Sequence, residues 1–247
     1  MKALILAAGY ATRLYPLTKE YPKPLLLVED KPIIDYIVDK LERIEAISEI
    51  IVVTNSKFIS CFKSWAKGLR SKKRINLVDD LTGDLNDRRG AVGDMSFAID
   101  KKHINEDLLV IGGDNLFKGG LQDFLKFVKA HKNSPIIGVY KIKDRQEAKK
   151  YGVIKLDKEN KVIDFSEKPD KPQSRLVAMC LYYFPKQRLN LLKEYLDTNI
   201  KGHDATGFYI DWLRKEIPVY GFVFDGHWYD IGDHKFYNEA KEKFARN

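Results

Sequence analysis

Short apolar runs alternate with helix-periodic segments over the first 140 or so residues, and this alternation restricts the fold more than any other feature of the chain. Residues 3–7, 49–54, 75–79, 108–111 and 135–140 read as buried strands, short and mostly rich in Ile, Val or Leu. Helical patterns lie between them at 57–69, 90–99 and 121–132. A further helix opens at Pro32, with Ile33, Ile34, Ile37, Val38, Leu41 and Ile44 on one face. This β-α-β-α order predicts an α/β fold of Rossmann-like type, with a doubly wound, mostly parallel sheet. The rhythm changes near residue 150. Residues 152–156, 162–166, 176–184 and 219–224 read as strands, and 186–197, 205–215 and 233–245 as helices. A single domain over 1–247 is expected, with residues 151–247 forming a mixed-sheet half packed on residues 1–150.

The first strand runs straight into a small-residue turn, Leu6-Ala7-Ala8-Gly9, followed by Arg13 and then Lys23 between Pro22 and Pro24. A strand that opens into a Gly-containing loop offers backbone N–H groups to phosphate. Two cations beside it strengthen that reading. The residue before a proline is pushed toward extended geometry, so Tyr21-Pro22-Lys23-Pro24 is expected to be a stiff extended rod presenting one ammonium. In an open α/β sheet, ligands bind beyond the carboxyl ends of the strands. The 7–13 loop, the 88–94 turn and Asp114 all fall at such ends.

The net charge of +8 suits attraction of anionic small molecules. Nucleic acid is not expected as a partner, because the longest basic cluster, Lys72-Lys73-Arg74, is short and lacks interleaved aromatics. No apolar run approaches the ~18 residues of a membrane span, so no membrane partner is expected. Cys61 and Cys180 are the only cysteines and imply no disulfide framework. Met1-Lys2 leads directly into a strand, with no signal peptide, and a cytoplasmic setting is expected.

Taken together, Leu6-Ala7-Ala8-Gly9-Tyr10-Ala11-Thr12-Arg13-Leu14, Pro16-Leu17-Thr18 and Pro22-Lys23-Pro24-Leu25 resemble the signature of sugar-1-phosphate nucleotidylyltransferases, in the style of the glucose-1-phosphate thymidylyl- and uridylyltransferases. The likeness continues through Gly112-Gly113-Asp114-Asn115-Leu116-Phe117, Tyr151-Gly152-Val153-Ile154, Glu167-Lys168-Pro169 and Trp228-Tyr229-Asp230-Ile231-Gly232. It implies the nucleotide-diphospho-sugar transferase type of fold, with a nucleotide-binding half over about 1–150 and a sugar-phosphate-binding half over about 151–247. It also implies two substrates, a nucleoside triphosphate and a sugar 1-phosphate, with Mg²⁺ as cofactor.

Roles are implied residue by residue. Arg13, Lys23, Asp114 and Asp230 would be catalytic, with Asp114 and Asp230 holding the metal. Leu6, Ala7, Ala8, Gly9, Arg13, Lys23, Gly90 and Gly93 would bind nucleotide, Gly93 by a backbone contact to the base. Asp114, Gly152, Glu167 and Lys168 would bind the sugar phosphate, Gly152 by letting the backbone approach the sugar. Three positions depart from the family pattern: Ala11 stands where Gly is usual, the 90–94 turn lacks the usual Gln, and Asp233 replaces Thr or Ser. Arg88 and Arg89, just before that turn, are within reach of phosphate on this reading. A cytidylyltransferase acting on phosphocholine or a polyol phosphate is the alternative, and homo-oligomer formation stays open.

Overall fold

The computed structural model describes residues 1–198 and 205–244. In chain order the strands are β1 (Lys2–Leu6), β2 (Leu27–Val28), β3 (Lys31–Pro32), β4 (Glu49–Thr54), β5 (Arg74–Asp79), β6 (Leu108–Gly112) and β7 (Asn115–Phe117). The second half adds β8 (Ile136–Lys141), β9 (Gly152–Leu156), β10 (Val162–Glu167), β11 (Leu176–Phe184), β12 (Tyr220–Phe224) and β13 (Trp228–Asp230). The helices are α1 (Ile33–Glu42), α2 (Ile59–Gly68), α3 (Gly90–Lys101), α4 (Gln122–Ala130), α5 (Asn190–Leu196), α6 (Thr206–Glu216) and α7 (His234–Lys243). Residue 245, the end of the expected last helix, lies outside the described residues.

Nine strands form one sheet, with the path β10-β9-β11-β6-β1-β4-β5 and with β8 joining β11 to β12. Strands β1, β4, β5 and β6 are parallel, and β8 pairs parallel with β12. Strand β11 runs against β6, β8 and β9. Strand β10 likewise runs against β9, so among the described residues seven of the nine strands share one direction while the pairings divide into four parallel and four antiparallel, a mixed sheet with a parallel centre. Both halves of the chain contribute strands to it.

The period of two sorts each central strand between two cores. Ala3 and Ile5, Ile50 and Val52, and Leu109 and Ile111 face the layer built on α1, α2 and α4. Leu4, Ile51 and Val53, and Leu108 and Val110 face the layer of α3, α5 and α6. Helix α1 buries Ile33, Ile34, Ile37, Val38 and Leu41, the face that its spacing marks.

Two departures from regularity shape the site. Strand β11 pairs with β9 at Leu176 and Val177 but with β6 from Leu181 onward. Its register against β8 slips between Ala178 and Tyr182, and Cys180 there has φ 50°. Such a bulge bends a strand, and here β9 and β6 part on either side of it. The second departure is the ribbon of β7 and β13, which pairs Asp230 with Asn115 and lies outside the main sheet. The sequence pattern did not mark these two three-residue strands.

Candidate active site

Four chain segments meet at the carboxyl end of β1. The turn after β6 presses on the end of β1: Gly113 N–H donates to Leu6 O at 2.8 Å, and a β-carbon at Gly113 would stand 2.9 Å from that oxygen. Only glycine allows this approach. It sets the next residue, Asp114, beside Lys23. Ribbon pairing then brings Asp230 opposite Asn115, one residue from Asp114. Asn115 is buried, and its Nδ2 donates to the bulge carbonyls of Met179 and Cys180. Trp228 Nε1 donates to Asn115 Oδ1 at 2.5 Å. One amide therefore ties the ribbon to the bulge.

Lys23 does not sit on an extended rod. Lys23–Leu25 is a 3₁₀ turn, closed by Leu25 N–H to Pro22 O and Leu26 N–H to Lys23 O, each at 3.0 Å. A proline φ near −65° serves a 3₁₀ turn as well as an extended segment, and burial of Pro24 and Leu25 decides between them here. The turn still presents a single ammonium, which donates to Asp114 Oδ2 and, at 2.9 Å, to Ile231 O. Burial opposes the Lys23 charge, but Asp114 and Asp230 outweigh it and hold the pKa above the ordinary lysine value. The Asp230 carboxyl is pushed up to about 6, first by burial and then by the charge of Asp114, against the pull of Lys23, Arg13 and Lys168. The Cys180 thiol is pushed up to about 12 by burial and by the same two carboxylates.

Arg13 stands exposed on a short 3₁₀ turn, Thr12–Leu14, entered through Ala11 at φ 48°, ψ 43°. Glycine is at ease in that left-handed conformation and alanine is not. Thr18 Oγ1 donates to Ala11 O at 2.8 Å and pins the loop. Asn55 Nδ2, donating to Ala8 O at 2.8 Å, pins it from the other side.

The cleft has three connected parts. Leu6, Ala8, Gly9, Arg13, Gly90 and Asp94 line the first. Leu6, Ala7, Gly9, Lys23 and Asp114 line the second. Asp114, Asp230, Gly152, Glu167 and Lys168 line the third, which opens where β9 and β6 separate. Leu6, Gly9 and Ala11 are shared by the first two parts, and Asp114 by the second and third. The proposed site residues thus gather in one cleft, with one exception. Gly93 packs against Arg89, where an added β-carbon would lie 2.9 Å from Arg89 Cβ, while Gly90 and Ala91 line the opening. Gly152 meets the Phe165 ring and the Glu167 carboxylate. A β-carbon at Gly207 would overlap that carboxylate outright, so Gly207 is a site residue that the sequence reading missed. Lys168 lies at φ 45°, its Nζ 3.4 Å from Glu167 Oε1.

Among the described residues no group of three or more His, Cys, Asp or Glu is arranged to hold a metal ion, and Asp114 and Asp230 are the two aspartates of the third part of the cleft.

A glycine-containing loop, two cations and two aspartates thus meet in one cleft at the carboxyl ends of parallel strands, an arrangement suited to binding anions. The chain belongs to the nucleotidyl transferase family, which it matches over residues 2–247. It is 31% identical over 233 residues to the bifunctional protein GlmU of Methanocaldococcus jannaschii, covering 94% of this chain and 51% of that protein. It is also 31% identical over 232 residues to a bifunctional sugar-1-phosphate nucleotidylyltransferase/acetyltransferase of Sulfurisphaera tokodaii, covering 94% and 52%. The chain spans about half the length of these relatives. The solved structure of UDP-glucose pyrophosphorylase complexed with UDP-glucose superposes with TM-score 0.83 at 23% identity, covering 99% of this chain and 98% of that one. The family resemblance read from the sequence motifs, and the fold that it implies, are both borne out. No helix among the described residues is long and apolar enough to cross a membrane.

Proposed function

We propose that this chain transfers a nucleotidyl group from a nucleoside triphosphate to a sugar 1-phosphate and releases pyrophosphate. The observation that carries this reading is the continuous cleft from the Gly9 loop, past Lys23 and Asp114, to Glu167. Such a cleft can hold two phosphorylated molecules end to end. The name of the Sulfurisphaera relative, a bifunctional sugar-1-phosphate nucleotidylyltransferase/acetyltransferase, points the same way.

A phosphate monoester has a second pKa near ~6, so the attacking oxygen is already ionised at neutral pH and no general base is needed. The protein has to align two polyanions and neutralise charge as the bond to the α-phosphorus forms. Lys23, at the middle of the cleft, would hold the α-phosphate and the sugar phosphate together. Arg13, exposed at the edge, would hold the triphosphate and draw off pyrophosphate with its planar fork. Glu167 would accept hydrogen bonds from sugar hydroxyls, and Lys168 would clamp the sugar phosphate. Asp114 and Asp230 would hold Mg²⁺, which takes one or two protein carboxylates and completes its shell with phosphate oxygens and water. Burial, and then the charge of Asp114, disfavour the Asp230 carboxylate, and a divalent ion held by the two would offset both. When bound, the ion supplies positive charge to the reacting phosphates. A cytoplasmic setting accords with two unpaired cysteines.

The test is a matrix of sugar 1-phosphates, phosphocholine and polyol phosphates against each nucleoside triphosphate, with pyrophosphate release as the readout. A hexose 1-phosphate should react at least tenfold faster than any non-sugar phosphate. Turnover of phosphocholine or a polyol phosphate alone would overturn the sugar reading and leave nucleotidyl transfer intact.

A further inference from the structure

We infer that Leu85 is the apolar seat against which the nucleobase of the triphosphate rests, and that Asp87 is the positioning residue that holds Leu85 there. The inference rests on the reading above, in which the cavity beside the Gly9 loop receives the nucleotide.

Eight large apolar side chains are exposed among the described residues, and Leu85, at 42%, is the one of them that lines the cleft. It stands in the first part, with Gly9, Arg13 and Gly90. That part is the roomiest of the three, 310 Å³ against 110 and 150 Å³, and so the one to take a base and its ribose. Ala8, Gly9, Gly90 and Ala91 line it too, and such small residues leave space for a flat ring. A single exposed leucine is ordinary on a surface. Leu85 differs in how it is held. Its neighbours Gly83, Asp84, Asn86 and Asp87 are glycine or polar, so no apolar packing within the turn fixes it. Carboxylates close the turn instead. Gly83 N–H donates to Asp87 Oδ2 at 2.9 Å, and Asp84 N–H to Asp87 Oδ1 at 3.1 Å. Asn86 N–H donates to Asp84 Oδ1 at 2.6 Å. The N–H bonds from Gly83 and then Asp84 hold the Asp87 carboxyl below the usual carboxylate range. The foot of the turn is tied to the end of β4, where Ser56 N–H donates to the carbonyl of buried Thr82 at 2.9 Å.

An apolar side chain laid against the face of a base removes apolar surface of both from water. Every base has such a face, so the contact adds affinity without choosing among bases. A turn that is already closed in the free chain has little freedom left to lose, and most of the contact then appears as affinity. Phosphate groups offer no apolar surface and gain nothing from Leu85. The two ends of the nucleotide are therefore separable: Arg13 and the Gly9 loop act on the phosphates, and Leu85 on the base.

The experiment is calorimetric titration of the whole chain with ATP, CTP, GTP, UTP, dTTP and inorganic tripolyphosphate in Mg²⁺ buffer, for the wild type, Leu85→Ser, Leu85→Met, Asp87→Ala and Asp87→Asn. Leu85→Ser should weaken the best-bound nucleotide about fivefold or more and leave tripolyphosphate unchanged. Leu85→Met keeps the apolar contact and should bind that nucleotide within about twofold of the wild type. Asp87→Ala opens the turn and should repeat the pattern of Leu85→Ser, whereas Asp87→Asn keeps an acceptor oxygen for the turn and should restore binding. Leu85 and Asp87 are both exposed, so these substitutions leave the core intact. Nucleotide affinity unchanged in Leu85→Ser overturns the inference. An equal loss for tripolyphosphate overturns it as well, because the effect then lies on the phosphates. Nucleotide affinity unchanged in Asp87→Ala overturns the part given to Asp87. Absence of binding by every triphosphate in the wild type is the distinct result that removes the nucleotidyl-transfer reading itself.

Discussion

Lys23 is held as a cation by two carboxylates that its own turn does not contain. Replacing it removes the charge expected to meet the developing phosphorane, so Lys23→Ala should lower kcat by about 100-fold or more while the circular dichroism spectrum stays unchanged. Activity within about tenfold of wild type would contradict that role. Asp94 gives a pH prediction with a definite sign. Its folded pKa, about 8, lies far above an ordinary carboxylate, so the native state binds a proton that the unfolded state has released. The stability tied to that proton is complete below about pH 4 and is lost as pH rises toward 8. Asp94→Asn removes this dependence. Urea denaturation should show the variant gaining on the wild type from pH 5 to 8, and parallel curves would contradict the raised Asp94 pKa, whose causes are burial and then the charge of Asp80. Ala11, at φ 48°, holds strain that glycine would relieve. Ala11→Gly should stabilise by about 0.5–1 kcal/mol, or about 2 °C in Tm by calorimetry.

At the scale of elements, the β7–β13 ribbon joins what lies more than a hundred residues apart. Asn115 is its fastener, with partners on the bulge of β11 and on Trp228. Asn115→Ala leaves two carbonyls and an indole N–H without that partner in a buried place, at a cost of about 2–4 kcal/mol measurable by urea denaturation. Trp228 fluorescence should shift to the red at the same time. A loss under about 0.5 kcal/mol would show that the ribbon does not depend on this amide. The ribbon also marks the limit of what the sequence discloses. The strands β4, β9 and β11 were legible as short, mostly apolar runs of five or more residues, and the apolar face of α1 by its period of 3.6. Three residues such as Asn115-Leu116-Phe117 are too few to carry a period. Gly207 was illegible for another reason: its need for smallness comes from Glu167, forty residues away in sequence. Asp94 did leave a signal, since it shares the buried face of α3 with Val92, Met95 and Ala98. A carboxyl on an apolar stripe calls for a partner. The Lys23 segment shows the converse, because two prolines read as a rod proved equally compatible with a turn once Pro24 and Leu25 were buried.

Across the whole molecule, one small core organises the site. Leu14, Leu26, Leu116, Tyr229 and Ile231 pack together beneath α7, with Tyr237 and Ala240 from that helix. The first five each lie within three residues of Arg13, Lys23, Asp114 or Asp230. The fold therefore places the four groups proposed for the chemistry, from four segments, by anchoring their neighbours in a single apolar cluster, while the side chains themselves stay in the cleft. Helix α7 closes this cluster and is capped by Asp233, whose carboxylate accepts from Phe236 N–H at 3.1 Å. The two large cores hold the sheet, and this third one sets the site.

The central claim is that Asp114 and Asp230 together hold one divalent ion between the nucleotide and sugar-phosphate ends of the cleft. Anomalous diffraction from crystals grown with Mn²⁺ and a nucleotide-sugar tests it most directly. The account predicts one strong anomalous peak in contact with carboxylate oxygens of both aspartates and with a phosphate oxygen of the ligand. A ligand bound in the cleft with no peak there, or a peak held by neither aspartate, would contradict it.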